Sequence, residues 1–214
     1  MKKKKIKYNN VIIFGLIGLL VLLLLIAGIL IFGIYKDTFA SDVEGVQIIN
    51  TIDNYGYQLT ENNTDYYKDL FKELKELLKD DNYSDSEYAK LIAKLFVADF
   101  YDLNSKLNKN DVGGYQFVYK GYQETFKKFA SDVNGVYYYV ENNIYGDRKQ
   151  DLPVVEEVSI TSIENIPYAY GSISDTDAYN ITVSVTYKKD LGYPKSVDLI
   201  LIHSNDKIEV VEMK

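Results

Sequence analysis

The chain lacks cysteine and contains a single histidine, His203, and these absences exclude several kinds of chemistry. Without cysteine there is no disulfide framework and no lipoprotein processing, so packing alone must stabilise the folded part. With one imidazole and no thiol, a zinc site lacks its usual ligands, and His203 is the only residue that could serve as the base of a Ser-His-Asp triad. We therefore interpret His203, at the end of an apolar segment, as a structural residue.

Residues 11–34 form a long apolar run of 24 residues without a charged or amide side chain. A helix of that length rises about 36 Å, enough to cross a hydrocarbon core of about 30 Å. The run is longer than the apolar region of a cleaved signal peptide, and no good cleavage site follows it. We predict an uncleaved transmembrane anchor.

The charges that flank this run predict its orientation. Five lysines precede it and only Lys36 follows closely, so the positive-inside rule places the N-terminus in the cytoplasm. The predicted location is the cell membrane, with a single pass and an extracytoplasmic C-terminal domain. The predicted parts are a basic leader (1–10), the anchor (11–34), a juxtamembrane tether (35–51) and an extracytoplasmic domain (52–214).

The net charge of −7 includes the lysines of the leader, so the outer domain is more acidic still. Each phosphate contact needs a lysine or arginine, and this surface therefore disfavours nucleic acid and anionic lipid headgroups. Arg148 is the only arginine among many Lys, Asn, Ile and Tyr residues, a composition typical of AT-rich bacterial genomes. A disulfide-free exported domain fits a Gram-positive envelope.

Apolar spacing predicts helices in the first part of the outer domain and strands in the second. After one extended segment (52–59), apolar residues recur every three or four positions, and Ser84 with Glu87 forms a predicted capping box. Period-two alternation then indicates four strands. The helical stretches are 64–79, 84–107 and a kinked 117–140, and the strands are 154–163, 179–187, 197–203 and 207–211.

The predicted fold class is therefore α+β: one N-terminal transmembrane helix, then helices to about residue 145 packed on a four-stranded antiparallel sheet from about residue 154. This layout resembles the nuclear-transport-factor-like (cystatin-like) superfamily over about residues 55–214. It is similar to the anchored domains of type IV secretion and conjugation inner-membrane components. The likeness is architectural and transfers no site residues.

Three short segments carry a second resemblance, to uncharacterised anchored envelope proteins of low-GC Gram-positive bacteria. They are 88–101 (YAKLIAKLFVADFY), 111–114 (DVGG) and 190–194 (DLGYP). This likeness implies relatives with a similar envelope location and supplies no activity.

Two aspartates of the second helix, Asp99 and Asp102, are candidate general bases, because an acid near a buried face can have a raised pKa. A hydrogen bond to a tyrosine or simple exposure is the alternative, and we favour it. Residues 80–87 concentrate oxygen ligands, but Asp85 stands where a calcium loop needs glycine, so turn and capping roles fit better. No metal and no cofactor is predicted.

Gly113 and Gly114 lack the Lys-Ser/Thr sequel of a phosphate loop, and we predict a helix-breaking turn at the rim of a pocket or interface. Tyrosine is abundant, with 21 residues, and three are consecutive: Tyr137, Tyr138 and Tyr139. All three cannot face the core, so at least one is expected to be exposed, as tyrosines at interfaces are. Codon usage in an AT-rich genome is an equally good explanation.

The sequence thus predicts a membrane-anchored, non-catalytic protein-interaction module whose partner is a protein of a secretion, conjugation or other envelope complex. Its self-association stays open. The alternative is a small-ligand or glycan binder, or a cavity enzyme, in the cleft between helices and sheet. The candidate interface or pocket residues are Tyr137, Tyr138, Tyr139, Asp99, Asp102, Gly113 and Gly114.

Overall fold

A computed structural model of the chain describes residues 46–80 and 82–214. The predicted leader and anchor, the tether up to residue 45 and Asp81 of the acidic cluster lie outside these residues. One compact unit begins at Val46 and runs to Lys214. Within the described ranges, none of the helices has the length and apolar character needed to cross a bilayer.

The unit begins with a β-hairpin of strands β1 (Ile48–Ile52) and β2 (Tyr57–Thr60). The sequence predicted one extended segment over 52–59 and assigned residues 48–51 to the tether, whereas these residues form most of β1. Their pattern gave little signal because Ile48 and Ile49 are both exposed. The turn closes through a hydrogen bond from the Tyr55 N–H to the Ile52 carbonyl oxygen at 3.0 Å.

Two helices follow, α1 (Asp65–Leu77) and α2 (Asp85–Tyr101). The Thr64 side chain caps α1 by accepting the Tyr67 N–H at 3.2 Å. The predicted capping box of α2 is wrong in its hydrogen bonds, since the Ser84 side chain makes no cap bond. Glu87 instead pairs with Lys90 at 2.6 Å.

Helix α2 ends six residues earlier than the predicted Leu107. Asp102 leaves the helical region with ψ of 71°, and a 3-10 turn, Leu103–Ser105, redirects the chain. Apolar spacing continued past this point, so the sequence did not mark the end.

The predicted helical continuation over 117–140 contains a shorter helix, α3 (Gln123–Ser131), after two 3-10 turns. Beyond α3 the chain makes successive turns, with the Gly135 N–H on the Asp132 carbonyl at 2.7 Å. The Tyr137 N–H then returns to the Ala130 carbonyl at 3.0 Å. These turns replace the helix because the backbone folds back against the end of α3.

The second half forms one antiparallel sheet in chain order, as predicted: β3 (Val155–Tyr170), β4 (Ile173–Tyr187), β5 (Ser196–Ser204) and β6 (Lys207–Met213). Strands β3 and β4 are longer than predicted, since most of the expected 172–177 loop belongs to β4. The turn between them lies at Gly171, where φ is 59°.

The helices pack on one face of this sheet, which confirms the α+β class. Helix α2 lies at the centre of the core and carries ten buried residues, Tyr88 and Phe96 among them. From the sheet, alternate residues of β4 and β5 point into this core, including Ile181 and Leu199. On the opposite face, Ile200 and Ile202 pack with Ala178 in a smaller second cluster.

Candidate functional site

Asp99, near the end of α2, forms a buried ion pair with Lys106. The carboxylate also accepts the Gly114 N–H at 2.6 Å. The two side chains are only 14% and 6% exposed. Burial alone lowers the pKa of Lys106, but the carboxylates of Asp99 and Asp111 more than offset this, so its pKa lies above the usual range.

Gly113 and Gly114 let the loop after α2 approach the helix backbone closely. A Cβ at Gly113 would lie 2.1 Å from the Asp99 carbonyl oxygen. Gly114 has φ of 74°, and a Cβ there would lie 2.7 Å from the ring of Phe96. The pair therefore serves packing, and both residues are buried rather than at a rim.

Tyr137 is fully buried behind this loop. Its hydroxyl donates to the Phe100 carbonyl oxygen at 2.7 Å and accepts the Gly113 N–H at 2.9 Å. Burial, followed by the charge of Asp99, raises the pKa of this phenol well above its usual value. The hydroxyl thus joins the last turn of α2 to the glycine loop.

Asp102 is 3% exposed and accepts the N–H of Val155, the first residue of β3, at 3.3 Å. Burial raises its pKa from the usual 3.8, against an opposing effect of Lys106. The raised pKa agrees with the expectation for an acid on a buried face. The hydrogen bond to β3 gives the carboxylate a structural role.

Five of the seven candidate residues therefore lie in one buried junction, which we define as Asp99, Asp102, Lys106, Gly113, Gly114 and Tyr137. Every buried side-chain nitrogen or oxygen of the described residues has a hydrogen-bond partner. Neither aspartate lines either of the two cavities described below. The junction is built to hold α2, the loop and β3 together.

The sequence did not identify two residues that make several contacts in this region, Lys106 and Arg148. No sequence pattern pointed to Lys106, because its partner Asp99 lies seven residues earlier, across the end of a helix. Arg148 donates to the carbonyl oxygens of Lys106, Asn104 and Glu141 at 2.8, 2.6 and 3.2 Å. Its rarity, as the only arginine of the chain, was the available signal.

Tyr138 and Tyr139 lie apart from the junction, on the surface, as expected for at least one of the three tyrosines. Nine large hydrophobic side chains of the described residues are exposed, and six of them fall within 17 residues, the 129–145 segment. Tyr139 is 73% exposed and Tyr145 is 88% exposed. The six are Phe129, Val133, Tyr138, Tyr139, Ile144 and Tyr145.

A groove of about 1310 Å³ runs between α1, α2 and the edge strand β3. Its lining mixes apolar and charged side chains, such as Leu91, Lys94 and Glu157. On this edge the Tyr66 hydroxyl hydrogen-bonds to the backbone of Val158. It accepts the Val158 N–H at 2.8 Å and donates to the Val158 carbonyl oxygen at 3.2 Å. Three irregularities in the β3–β4 register and Pro167 further disfavour the addition of another strand.

A second, smaller cavity of about 300 Å³ lies between α3 and β6, and we call it the α3–β6 cleft. Aromatic side chains of α3 form one wall and β6 forms the other. The lining residues are Phe96, Val118, Tyr122, Thr125, Phe126, Phe129, Val210, Val211, Glu212 and Met213.

His203 lies at the end of β5, where the sequence predicted a structural histidine. Its Nδ1 is 2.9 Å from the Asp175 carboxylate, which also accepts the His203 backbone N–H at 2.8 Å. Its Nε2 is 3.9 Å from Asp85. Across residues 46–80 and 82–214, no group of three His, Asp or Glu side chains is placed to hold a metal ion.

Comparison of the chain with protein-family models, with curated proteins and with solved structures gives no match. The geometry of the chain itself is therefore the basis for the functional interpretation.

Proposed function

We propose that this protein is a membrane-anchored, extracytoplasmic and non-catalytic module that binds a partner protein of an envelope complex through its 129–145 segment. The observation that carries the proposal is the concentration of six of the nine exposed large hydrophobic side chains in this segment. Monomeric proteins rarely leave apolar surface concentrated in this way unless it meets a partner. A nuclear-transport-factor-like scaffold and a secretion or conjugation complex are the closest analogues that the sequence offers.

The distribution of charged residues also supports the 129–145 segment as the binding surface. Of the 24 basic and 31 acidic side chains, residues 1–45 hold six and three, so residues 46–214 hold 18 and 28, a net charge of −10. The 129–145 segment contains only two charged residues, Asp132 and Glu141. Depletion of charge together with enrichment of tyrosine is typical of the centre of a protein interface.

Two sets of hydrogen bonds hold the backbone of the 129–145 segment in place, which favours its use as a binding surface. The buried hydroxyl of Tyr137 fixes the middle of the segment to α2, and Arg148 fixes the chain that follows it. The neighbouring tyrosines are therefore presented from an ordered backbone, which lowers the entropy cost of binding.

The test is crosslinking with mass spectrometry on the full-length protein in its own membrane. Replacement of Tyr138, Tyr139 and Tyr145 by serine should abolish recovery of one or two specific envelope proteins. Tyr170→Ser is the matched control, because Tyr170 is 67% exposed and lies on the β3–β4 turn. Equal recovery from the triple variant and the control would refute the proposal. Tyr137 stays unchanged because its loss would disturb the fold.

The predicted orientation has a separate test, since the chain has no cysteine of its own. A single cysteine at Ser172, in the exposed β3–β4 turn, should react with a membrane-impermeant maleimide on intact cells. A single cysteine at Lys4, in the leader, should react only after permeabilisation. The reverse pattern would contradict the positive-inside orientation.

The second candidate function is a polar-ligand or glycan binder in the groove between α1, α2 and β3. The volume of about 1310 Å³ and the mixed lining of charged, hydroxyl and apolar groups favour it. Titration of the full-length protein with soluble cell-wall glycan fragments tests it. Binding that is weakened by Lys94→Glu and unaffected by the tyrosine variants would favour this function over the interaction module.

A further inference from the structure

Four tyrosines meet where the β1–β2 hairpin contacts the helices. Tyr55 and Tyr57 lie in the hairpin, Tyr83 in the loop between α1 and α2, and Tyr88 in α2. The hydroxyls of Tyr57 and Tyr88 are 2.7 Å apart and buried. The hydroxyls of Tyr55 and Tyr83 are 3.2 Å apart, and both of these side chains are half-buried. Within the part of the chain that the structure describes, no other two tyrosines share a hydrogen bond between hydroxyls.

The rings of Tyr55 and Tyr83 are held in place by a common neighbour. Both pack edge-to-face on the ring of Tyr88, with centroid distances of 5.9 and 5.6 Å. Tyr88 is itself 1% exposed and fixed in the core. The hydroxyl-bearing edges of the two outer rings therefore face each other. The ring carbons next to the hydroxyls, where oxidised phenols couple, lie on these edges.

The surroundings of Tyr83 favour the loss of an electron from its ring. Burial, followed by the hydrogen bond to Tyr55, raises the pKa of this phenol, and the negative charges of Asp85 and Asp206 act in the same direction. Negative charge nearby stabilises the more positive form of a group, so it also favours one-electron oxidation. The half-buried position leaves this phenol accessible to an oxidant.

A covalent bond at this place would secure an element that the backbone does not hold. The β1–β2 hairpin forms a sheet of its own, separate from the four-stranded sheet. Side chains attach it, such as Gln116, which bonds the backbone of Gln58 at 2.7 and 3.0 Å. Disulfides commonly secure such elements in exported domains, and this chain has no cysteine.

We propose that Tyr55 and Tyr83 form an oxidative crosslinking site, where hydrogen peroxide acting through a haem peroxidase joins the rings as dityrosine and fastens the hairpin to the helices. Each phenol loses one electron and one proton, and a carbon–carbon bond forms between the ring carbons next to the two oxygens. The hydrogens on these carbons then move to the oxygens, which restores both phenols. The two electrons and two protons reduce one peroxide molecule to two waters. The site is independent of the 129–145 segment.

The test treats the full-length protein in phosphatidylcholine nanodiscs with hydrogen peroxide and a haem peroxidase, followed by proteolysis and mass spectrometry. We expect two peptides joined between Tyr55 and Tyr83 with the loss of two hydrogen atoms. Tyr83→Phe should abolish this product. Tyr88→Phe, the matched change in the buried pair, should preserve it. The same treatment in urea should abolish it, because the fold brings the two rings together.

The crosslink should also stabilise the domain. It joins residues 28 positions apart and constrains the unfolded chain as a disulfide does. We expect the equilibrium constant for unfolding in urea to fall about a hundredfold, and to stay unchanged in treated Tyr83→Phe protein. An unchanged constant in the crosslinked parent would overturn the stabilising role.

The crosslinking site itself has two contradicting outcomes. One is a folded parent protein without the Tyr55–Tyr83 product, while the same peroxidase couples free N-acetyltyrosine. The other is an equal yield of the same two joined peptides from Tyr83→Phe or from the protein in urea. Both outcomes are independent of the recovery of a partner protein.

Discussion

Lys106 is the residue on which the buried junction depends most. Its replacement by methionine keeps the apolar stem and leaves the Asp99 carboxylate buried without its counter-charge. Removal of one partner of a buried pair costs about 3–5 kcal/mol. We therefore expect Lys106→Met to lower the free energy of unfolding by about that amount, as measured by urea denaturation followed by circular dichroism.

The control for this prediction is a lysine whose ion pair lies in solvent. Lys68 is 3.5 Å from the carboxylate of Asp65, which is fully exposed. Lys68→Met should cost less than about 1 kcal/mol. Similar losses in the two variants would mean that the buried Lys106–Asp99 pair contributes no more to the free energy of unfolding than an exposed pair.

Gly114 tests the close approach of the glycine loop to α2. Gly114→Ala combines an unfavourable φ of 74° with a Cβ 2.7 Å from the Phe96 ring. Gly171→Ala is the matched control, because it has φ of 59° and open space around the new Cβ. We expect Gly171→Ala to cost about 1 kcal/mol and Gly114→Ala about 3 kcal/mol in thermal or urea unfolding. Equal losses of stability in the two variants would show that the close approach to Phe96 does not explain the need for glycine at position 114.

Asp102 gives the fold a pH dependence of known sign. Because burial raises its pKa above the unfolded value of about 3.8, the folded state binds this proton more tightly. Its contribution to stability is present below the unfolded pKa and is lost as pH rises through the folded pKa. An asparagine could still accept the Val155 N–H without a buried charge.

Asp102→Asn should therefore be more stable than the parent at pH 7, and the difference should shrink as pH falls toward 4. Urea denaturation at a series of pH values measures this difference. A variant that is less stable at pH 7, with the same deficit at every pH, would show that the carboxylate charge is needed for the fold.

At the scale of elements, Arg148 holds the loop between the 129–145 segment and β3. It donates three hydrogen bonds to backbone carbonyl oxygens of two separate stretches. Arg148→Lys keeps the charge but cannot span both stretches. We expect amide hydrogen exchange of residues 141–148 to rise about tenfold, corresponding to about 1.4 kcal/mol, while α2 stays protected. Lys149→Gln, one residue on and exposed, should leave the exchange unchanged.

The sequence predicts the elements best where one face is buried and the other is wet. Strand β4 alternates in this way and α1 shows a single apolar face, so each was predicted near its place. Strand β5 was also predicted near its place, although it is buried on both faces from Leu199 to Ile202. The outer parts of β3 and β4 were missed because only a few of their side chains, such as Ile166, Tyr168 and Ile173, are half-buried, and most of the others are exposed. The end of α2 was missed because apolar residues continue after it.

The candidate site was predicted in part. Asp99, Asp102, Gly113, Gly114 and Tyr137 do come together, yet as a junction rather than as a pocket. That distinction depends on Lys106, which neutralises Asp99 across a turn that periodicity does not reveal. The large groove of the structure is lined by other residues, because its walls come from surface positions that sequence patterns leave unmarked.

At the scale of the whole molecule, an acidic domain carries one stretch that is apolar and nearly free of charge. The acidic excess of residues 46–214 is the basis of our prediction that the protein does not bind nucleic acid. The 129–145 segment differs from the rest of this domain because only two of its 17 residues are charged. The Tyr137 hydroxyl attaches it to α2, as suits a surface that binds a partner. The proposed interaction depends on this difference in charge.

The most direct test of that proposal places a photo-crosslinking amino acid at position 145 of the full-length protein in its own membrane. Tyr145 is 88% exposed and lies in the segment, whereas Tyr170 is 67% exposed and lies outside the segment, at the β3–β4 turn. We predict one or two discrete protein adducts from position 145 that are absent from position 170. The same adducts from both positions, or none from position 145, would contradict the proposed interaction surface.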